Sequence, residues 1–342
     1  MSGARRTVSC LLIGLGALLL AAAVMVPTYT VGKVAKTPLD LQITTVARSL
    51  PDQESLVLDA KSLTSPTGSA RVDRGVPVVS QRFLTVEEPS GADRMTVQAG
   101  QTLRRDDREG DTGLLTASID RVTIDRKTGE PIPVSPNGSI ALTVDTSGDS
   151  VADPSQRTGL QYRFPIGTEK KSYPYFDLNA RATHDIDYVD ESEVGGVPVY
   201  HFRQTIPVTN MWEVFPAATN KLTLPAAKWG LEGDAPVTMT RFYTNTRDVW
   251  VEPRTGAILK GSEQIHLYYG RSAEQIDVTA LKSYLVFDDD TIAAQMAVTQ
   301  ESLDRLSLFG RIVPITLGVL GGAALLAGIV VGVRSPGRRR TR

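Results

Sequence analysis

The side chains with the clearest potential for chemistry are few. His184, His201 and His266 are the only histidines, and Cys10 is the only cysteine. No HExxH, GxSxG, SxxK or phosphate-cradling GxxxxGK[ST] pattern occurs. His201 lies in VPVYHFRQT and His266 in EQIHLYY, strand-like runs where an imidazole serves packing. One cysteine closes no intrachain disulfide and builds no Cys-based metal cluster. Asp145, Asp149 and Asp153 lack the Gly and terminal Glu of a calcium loop, and Asp288-Asp289-Asp290 reads as a helix cap rather than a cation site. No catalytic residue, metal or cofactor is predicted, and the chain is read as a non-enzyme.

Binding chemistry is better represented. YRFPIGTEKKSYPYFD combines Tyr162, Phe164, Tyr173, Tyr175 and Phe176 with Lys170 and Lys171. Aromatic faces and ammonium groups together suit a sugar or an anionic lipid headgroup, although alternating aromatics also fill β cores. A second cluster joins Trp212 and Phe215 to Trp229, able to line an apolar cavity or to pack a core. These ten residues are the candidate ligand-binding set.

Two elements hold such a site in place. Residues 8–26 and 312–333 are charge-free runs of 19 and 22 residues. Each matches the ~20 apolar residues that cross a bilayer core. Arg5 and Arg6 precede the first, and five arginines from Arg334 onward follow the second. The positive-inside rule therefore puts both termini in the cytoplasm and the intervening segment outside. The expected organisation is a cytoplasmic N-terminus (1–7), a span (8–26), an extracytoplasmic domain (27–311), a second span (312–333) and a basic cytoplasmic tail (334–342). The Ala21-Ala22-Ala23 run also fits a signal-peptide cleavage site, but the apolar run continues past it. Small residues at Gly14, Ala17 and Ala21 in the first span, and Gly318, Gly322, Gly328 and Gly332 in the second, offer faces for close packing. The two spans are expected to pack on each other, with homodimerisation as the rival.

Between the spans, short alternating runs separated by Gly, Pro, Asp and Ser predict a β-rich α+β domain. A stalk helix is expected over 288–311, its N-terminus capped by the triple Asp. Ile124-Asp125-Arg126-Lys127-Thr128-Gly129 echoes Val251-Glu252-Pro253-Arg254-Thr255-Gly256: an acid, two residues, then Thr-Gly, read as two similar hairpin turns.

The constellation FP-x-GTEKKSYPYFD, then Glu193 to Phe202 (EVGGVPVYHF), then VWVEPRTG, set between two terminal spans, resembles the actinobacterial porin PorA family over nearly the whole chain. In layout the chain is also similar to the scavenger-receptor class B family, on topology alone. The resemblance implies an envelope membrane protein, some relatives being linked to export or assembly of cell-wall lipoglycans. The leading expectation is a non-enzymatic protein whose outer domain binds or passes a lipid or lipoglycan. Its partners would be membrane lipids, with a homo-oligomer or envelope-assembly proteins as further candidates. An oligomeric channel and an assembly scaffold or sensor are the alternatives, and two helices alone cannot enclose a water-filled pore.

The 37 basic and 38 acidic residues give a net charge of −1 and no reason to bind nucleic acid. Their distribution is uneven: seven basic residues sit in the tails, leaving 30 against all 38 acids in the outer segment. The 41% hydrophobic content is likewise concentrated in the spans.

Overall fold

The computed structural model describes residues 2–30, 35–142 and 152–333. The basic tail 334–342 and the acids Asp145 and Asp149 lie outside the described residues. The chain divides into two units, one of residues 1–36 and 300–342, the other of residues 37–299.

The larger unit is one 15-stranded antiparallel sheet. Its strands are β1 (Gln42–Ser49), β2 (Leu56–Asp59), β3 (Arg71–Arg74), β4 (Val78–Glu87), β5 (Arg94–Arg105), β6 (Leu114–Asp125), β7 (Gly138–Leu142) and β8 (Ala152–Ser155). There follow β9 (Tyr173–Asp177), β10 (Ala182–Val194), β11 (Val197–Asn210), β12 (Lys221–Pro225), β13 (Pro236–Glu252), β14 (Ala257–Gly270) and β15 (Val278–Phe287). The order is β8-β7-β6-β5-β4-β1-β15-β14-β13-β11-β10-β9, with β12 beside β13, and β2 beside β15 and β3. The first and last strands are therefore neighbours, Ala47 opposite Phe287. Because they run antiparallel, β1 begins and β15 ends at the same end of the sheet.

Alternation puts one face inside. Val97 and Val122 stand opposite each other and are buried with Leu84 on the same face, while Gln81, Glu87 and Arg121 on the opposite face are exposed. Phe83 and Ile119 also face outward, each about half exposed (48% and 49%). The buried face carries apolar clusters around Tyr243, Ile206 and Leu285, around Phe164, Phe202 and Val251, and around Met95, Val97 and Ile124. A fourth gathers Trp229, Met239, Tyr269 and Val278. The sheet is open, with β8 and β9 as its edges. The chain leaving β8 reaches across to β9: Leu160 N donates to the Pro174 carbonyl (2.8 Å) and Phe176 N to the Leu160 carbonyl (2.7 Å).

Three longer helices complete the chain: α1 (Ser2–Met25), α2 (Asp289–Ser307) and α3 (Val313–Val333). Asp288 caps α2, its side chain accepting from Thr291 N at 2.9 Å. A π-helical turn at Leu308–Ile312 carries α2 on into α3. Candidate spans by length and hydropathy are Ala4–Tyr29 and the continuous helix Asp289–Val333, whose apolar part is α3.

Candidate functional site

The structure separates the ten aromatic and basic residues chosen from sequence. Phe164, Tyr173 and Tyr175 are buried in one apolar cluster. Phe164 meets Phe202 at 4.7 Å between ring centroids and Tyr173 edge-on at 5.5 Å. Phe176 is buried under the Arg157 guanidinium (4.9 Å). Lys170 and Lys171 are exposed, pairing with Glu191 and Glu169 and covering the rings of Tyr200 (5.3 Å) and Tyr173 (5.4 Å). Trp212 and Phe215 lie elsewhere, around the short helix Met211–Val214. Both are half-buried, and each carries a cation: Lys221 over Trp212 (5.4 Å) and Arg181 over Phe215 (4.7 Å). Trp229 is 4% exposed in the fourth cluster, its indole N–H given to the Val237 carbonyl (3.0 Å).

Tyr162 belongs to a polar layer on the buried face that no sequence spacing announces. Asp120 accepts a bidentate pair from Arg157, both almost wholly buried, and also takes the Tyr162 hydroxyl and the Gln161 amide (3.1 Å). Arg82 donates twice to Gln101 (3.2 and 3.1 Å) and lies over the Tyr162 ring (5.9 Å). Arg247 reaches Glu263 (2.7 Å), Gln204 (2.6 Å) and Asp177 (3.0 Å), and Asp177 takes the Tyr243 hydroxyl (3.1 Å). Burial, aided by the Asp120 charge, pushes the Tyr162 hydroxyl well above its ordinary range, and burial does the same at Tyr243. Burial opposes ionisation of Glu263, yet Arg247 and Arg82 outweigh it and hold that carboxyl low. Two ion-paired groups thus satisfy the buried charge, Arg157 with Asp120 and Arg247 with both Glu263 and Asp177, while Arg82 is held by Gln101.

The two echoing turns are brought together. In the first, Asp125 accepts from Lys127 N and Thr128 N (2.8 Å each). In the second, Glu252 accepts from Arg254 N (3.1 Å) and Thr255 N (2.8 Å). Gly129 (φ +75) and Gly256 (φ +72) close them in the left-handed region that glycine enters without a Cβ penalty. The FPIG segment passes between them. Ile166 N donates to the Lys127 carbonyl (2.9 Å), Phe164 N to that of Gly256 (2.9 Å) and Thr168 N to that of Pro253 (2.7 Å). Arg163 also lies here, and burial lowers its pKa to about 10 against the pull of Asp125. An open hollow of about 400 Å³ adjoins the first turn, lined by Ser90, Gly91, Asp93, Arg94, Asp125 and Ile132 among others.

The histidines sit among structural partners. His201 lies between Asp248 (Nε2, 2.7 Å) and Asp190 (Nδ1, 3.3 Å) and stacks on Trp250 at 4.6 Å. Burial, then the Lys282 charge, lowers the pKa of His266. Among the described residues, no three His, Cys, Asp or Glu side chains are placed to hold a metal ion.

In the helical unit, α1 and α3 run antiparallel in contact. A Cβ on Gly16 would stand 2.8 Å from the Gly321 carbonyl oxygen, and one on Gly328 would stand 2.8 Å from Ile13. Ser9 donates its hydroxyl to the Gly328 carbonyl (2.7 Å) and lies against Gly332. Gly318 faces Ala23. Gly14 and Gly322 have nothing within 4 Å of where a side chain would begin, so those two chosen positions point away from the contact. Ala17 is exposed and Ala21 largely so. Gly16 and Gly321 take the central place.

This architecture has close sequence relatives. A family model described as Porin PorA matches residues 8–330. A protein named Porin PorA from Corynebacterium amycolatum is 33% identical over 387 residues, covering 96% of this chain and 98% of the relative. Another of that name from Corynebacterium resistens is 33% identical over 407 residues, covering 98% of each. A membrane protein by its helices and by its relatives, the chain belongs to the porin PorA family.

Proposed function

We propose that this is an envelope membrane protein whose sheet domain lies outside the cytoplasmic membrane, with both termini inside, and binds or hands on a lipid or lipoglycan without chemical conversion. The observation that carries this reading is the close approach of α1 and α3. Their backbones meet at Gly16 and Gly321, which leaves no width for water between them. The helix pair then acts as an anchor, and the work falls to the sheet domain. That domain turns charged and polar side chains such as Gln81, Glu87 and Arg121 outward, unlike a strand barrel bathed in lipid. Its half-buried rings at Trp212 and Phe215, each under a cation, suit a headgroup and the start of an acyl chain. The test is extraction and mass spectrometry of whatever co-purifies with the full chain from its native envelope. A lipid or glycolipid in fixed stoichiometry supports the reading, and a preparation free of both sinks it.

A channel is the second reading, favoured by the name its relatives carry and by the charged layer of Arg82, Arg157 and Arg247 facing Asp120, Asp177 and Glu263 on the buried face. It requires several copies to surround a pore. Stepwise conductance of the purified chain in planar bilayers would favour it over the binding role.

A further inference from the structure

The two turns that hold the FPIG segment carry positive charge that, among the described residues, lies in no ion pair. Arg163 is 9% exposed, and among the described residues its guanidinium donates only to carbonyls, from Nε to Phe164 (3.2 Å) and from Nη2 to Thr255 (2.8 Å). Asp125 acts on it from beyond ion-pair distance, and Arg126 acts with the opposite sign. Arg126 is held in the same way, from Nε to the Thr37 carbonyl (2.8 Å) and from Nη1 to those of Gly91 (2.9 Å) and Ala92 (3.0 Å). Lys127 and Arg254 stand exposed on the same two turns, and neither forms a side-chain ion pair among the described residues. The turn acids are already engaged with backbone N–H groups, Asp125 in one and Glu252 in the other. Buried charges are ordinarily paired, because carbonyl dipoles replace hydration only in part.

We propose that these two turns, with Arg163 between them, form an anion site for a phosphate group. Arg163 supplies its remaining nitrogen, Nη1, and Arg126, Lys127 and Arg254 supply the surrounding charge. A planar guanidinium whose remaining nitrogen is uncommitted matches phosphate oxygens better than a flexible ammonium would. The hollow beside Gly91 and Arg94 adjoins the first turn through Asp125; its lining includes Asp93 and Asp125 and none of the four cations. The site lies where the chain arrives from α1: Thr37 returns N–H (3.0 Å) and hydroxyl (2.9 Å) bonds to the Arg126 carbonyl. It is also the end of the sheet where β15 finishes. A phosphate on a lipid headgroup and free phosphate share this chemistry. The choice of a lipid source rests on the lipid-binding reading above, whereas the site itself does not.

The experiment uses the full chain in maltoside micelles at 150 mM salt. Inorganic phosphate and glycerol phosphate are titrated by calorimetry, and phosphatidylglycerol adducts are counted by native mass spectrometry. Wild-type protein should bind saturably, about tenfold more weakly after Arg163→Gln and several-fold more weakly after Lys127→Gln with Arg254→Gln. The double variant changes only exposed side chains, so it decides the matter if the Arg163 variant fails to melt cooperatively. Adducts and titrations unchanged in both variants overturn the site, as does failure of all three probes to bind. Lipid binding that ignores the variants leaves the lipid-binding function standing and removes this site. Inorganic phosphate bound through Arg163 without any lipid adduct keeps the site and makes free phosphate, not a lipid headgroup, its source.

Discussion

Gly256 and Phe164 meet backbone to backbone: Phe164 N donates to the Gly256 carbonyl at 2.9 Å, and a Cβ on Gly256 would fall 2.1 Å from the Phe164 carbonyl oxygen. The contact fixes the FPIG segment to the β13–β14 turn. Gly256→Ala must either open that contact or strain a φ of +72. It should destabilise the domain by about 3 kcal/mol or more. Gly129→Ala, whose nearest neighbours stand at 3.1 Å, should cost about 1–2 kcal/mol. Denaturant melts of the two variants, compared in one detergent, check the order. Equal losses would mean the turns are not distinguished by this contact.

Asp120 and Arg157 form the most deeply buried ion pair, 1% and 0% exposed at their side chains. Asp120→Asn leaves the guanidinium buried without its counter-charge and should cost about 3–5 kcal/mol. Replacing both partners by apolar residues should cost less than the single change. A double-mutant cycle followed by chemical unfolding measures the difference.

Acid should weaken the domain through Asp73 and Asp107. Hydrogen bonds from Arg105, with its charge and those of neighbouring arginines, hold both carboxyls below their ordinary value. A lowered carboxylate contributes stability above its unfolded pKa of about 3.9, and that contribution is lost as pH falls through the lower folded value. The melting temperature should therefore drop as pH falls below about 4. Arg105→Gln should reduce the neutral-pH stability and flatten that drop. An unchanged slope in the variant would assign the acid sensitivity to other groups.

A Cβ on Gly318 would stand 4.0 Å from that of Ala23. That spacing falls within the ~3.5–4.5 Å range for a disulfide. With Cys10→Ser removing the native thiol, the pair Ala23→Cys and Gly318→Cys should oxidise within one chain. Non-reducing electrophoresis would then show a faster-running monomer. A covalent dimer in its place would mean that the spans pair between copies.

The parts of the architecture legible in sequence are those written in local patterns. The apolar runs mark α1 and α3, Asp288 marks the start of α2, and the acid-x-x-Thr-Gly echo marks two turns of one geometry. Two things escaped. Small-residue spacing marks a face for packing but not its rotation against the partner: Gly16 and Gly321 touch, while Gly14 and Gly322 point away. The polar layer is assembled from residues far apart in the chain, Arg157 with Asp120 and Arg247 with Asp177, and no spacing encodes such pairs. Arg163 gives no signal of its own, because what sets it apart is that, among the described residues, no carboxylate reaches ion-pair distance of it. The aromatic stretch was visible, but only the sheet register decides that Phe164, Tyr173 and Tyr175 face inward while Lys170 and Lys171 face out.

The adjacency of β1 and β15 also has a mechanical side. Ala47 and Phe287 form the first rung of their ladder; β15 ends there, while β1 runs back five more residues to Gln42 against β4. Tension drawing the two departing segments apart would load the ladder one hydrogen bond at a time, as a zipper opens, the geometry in which a sheet resists least. The five residues that β1 adds against β4 would have to part first, and so they work as the zipper's stop.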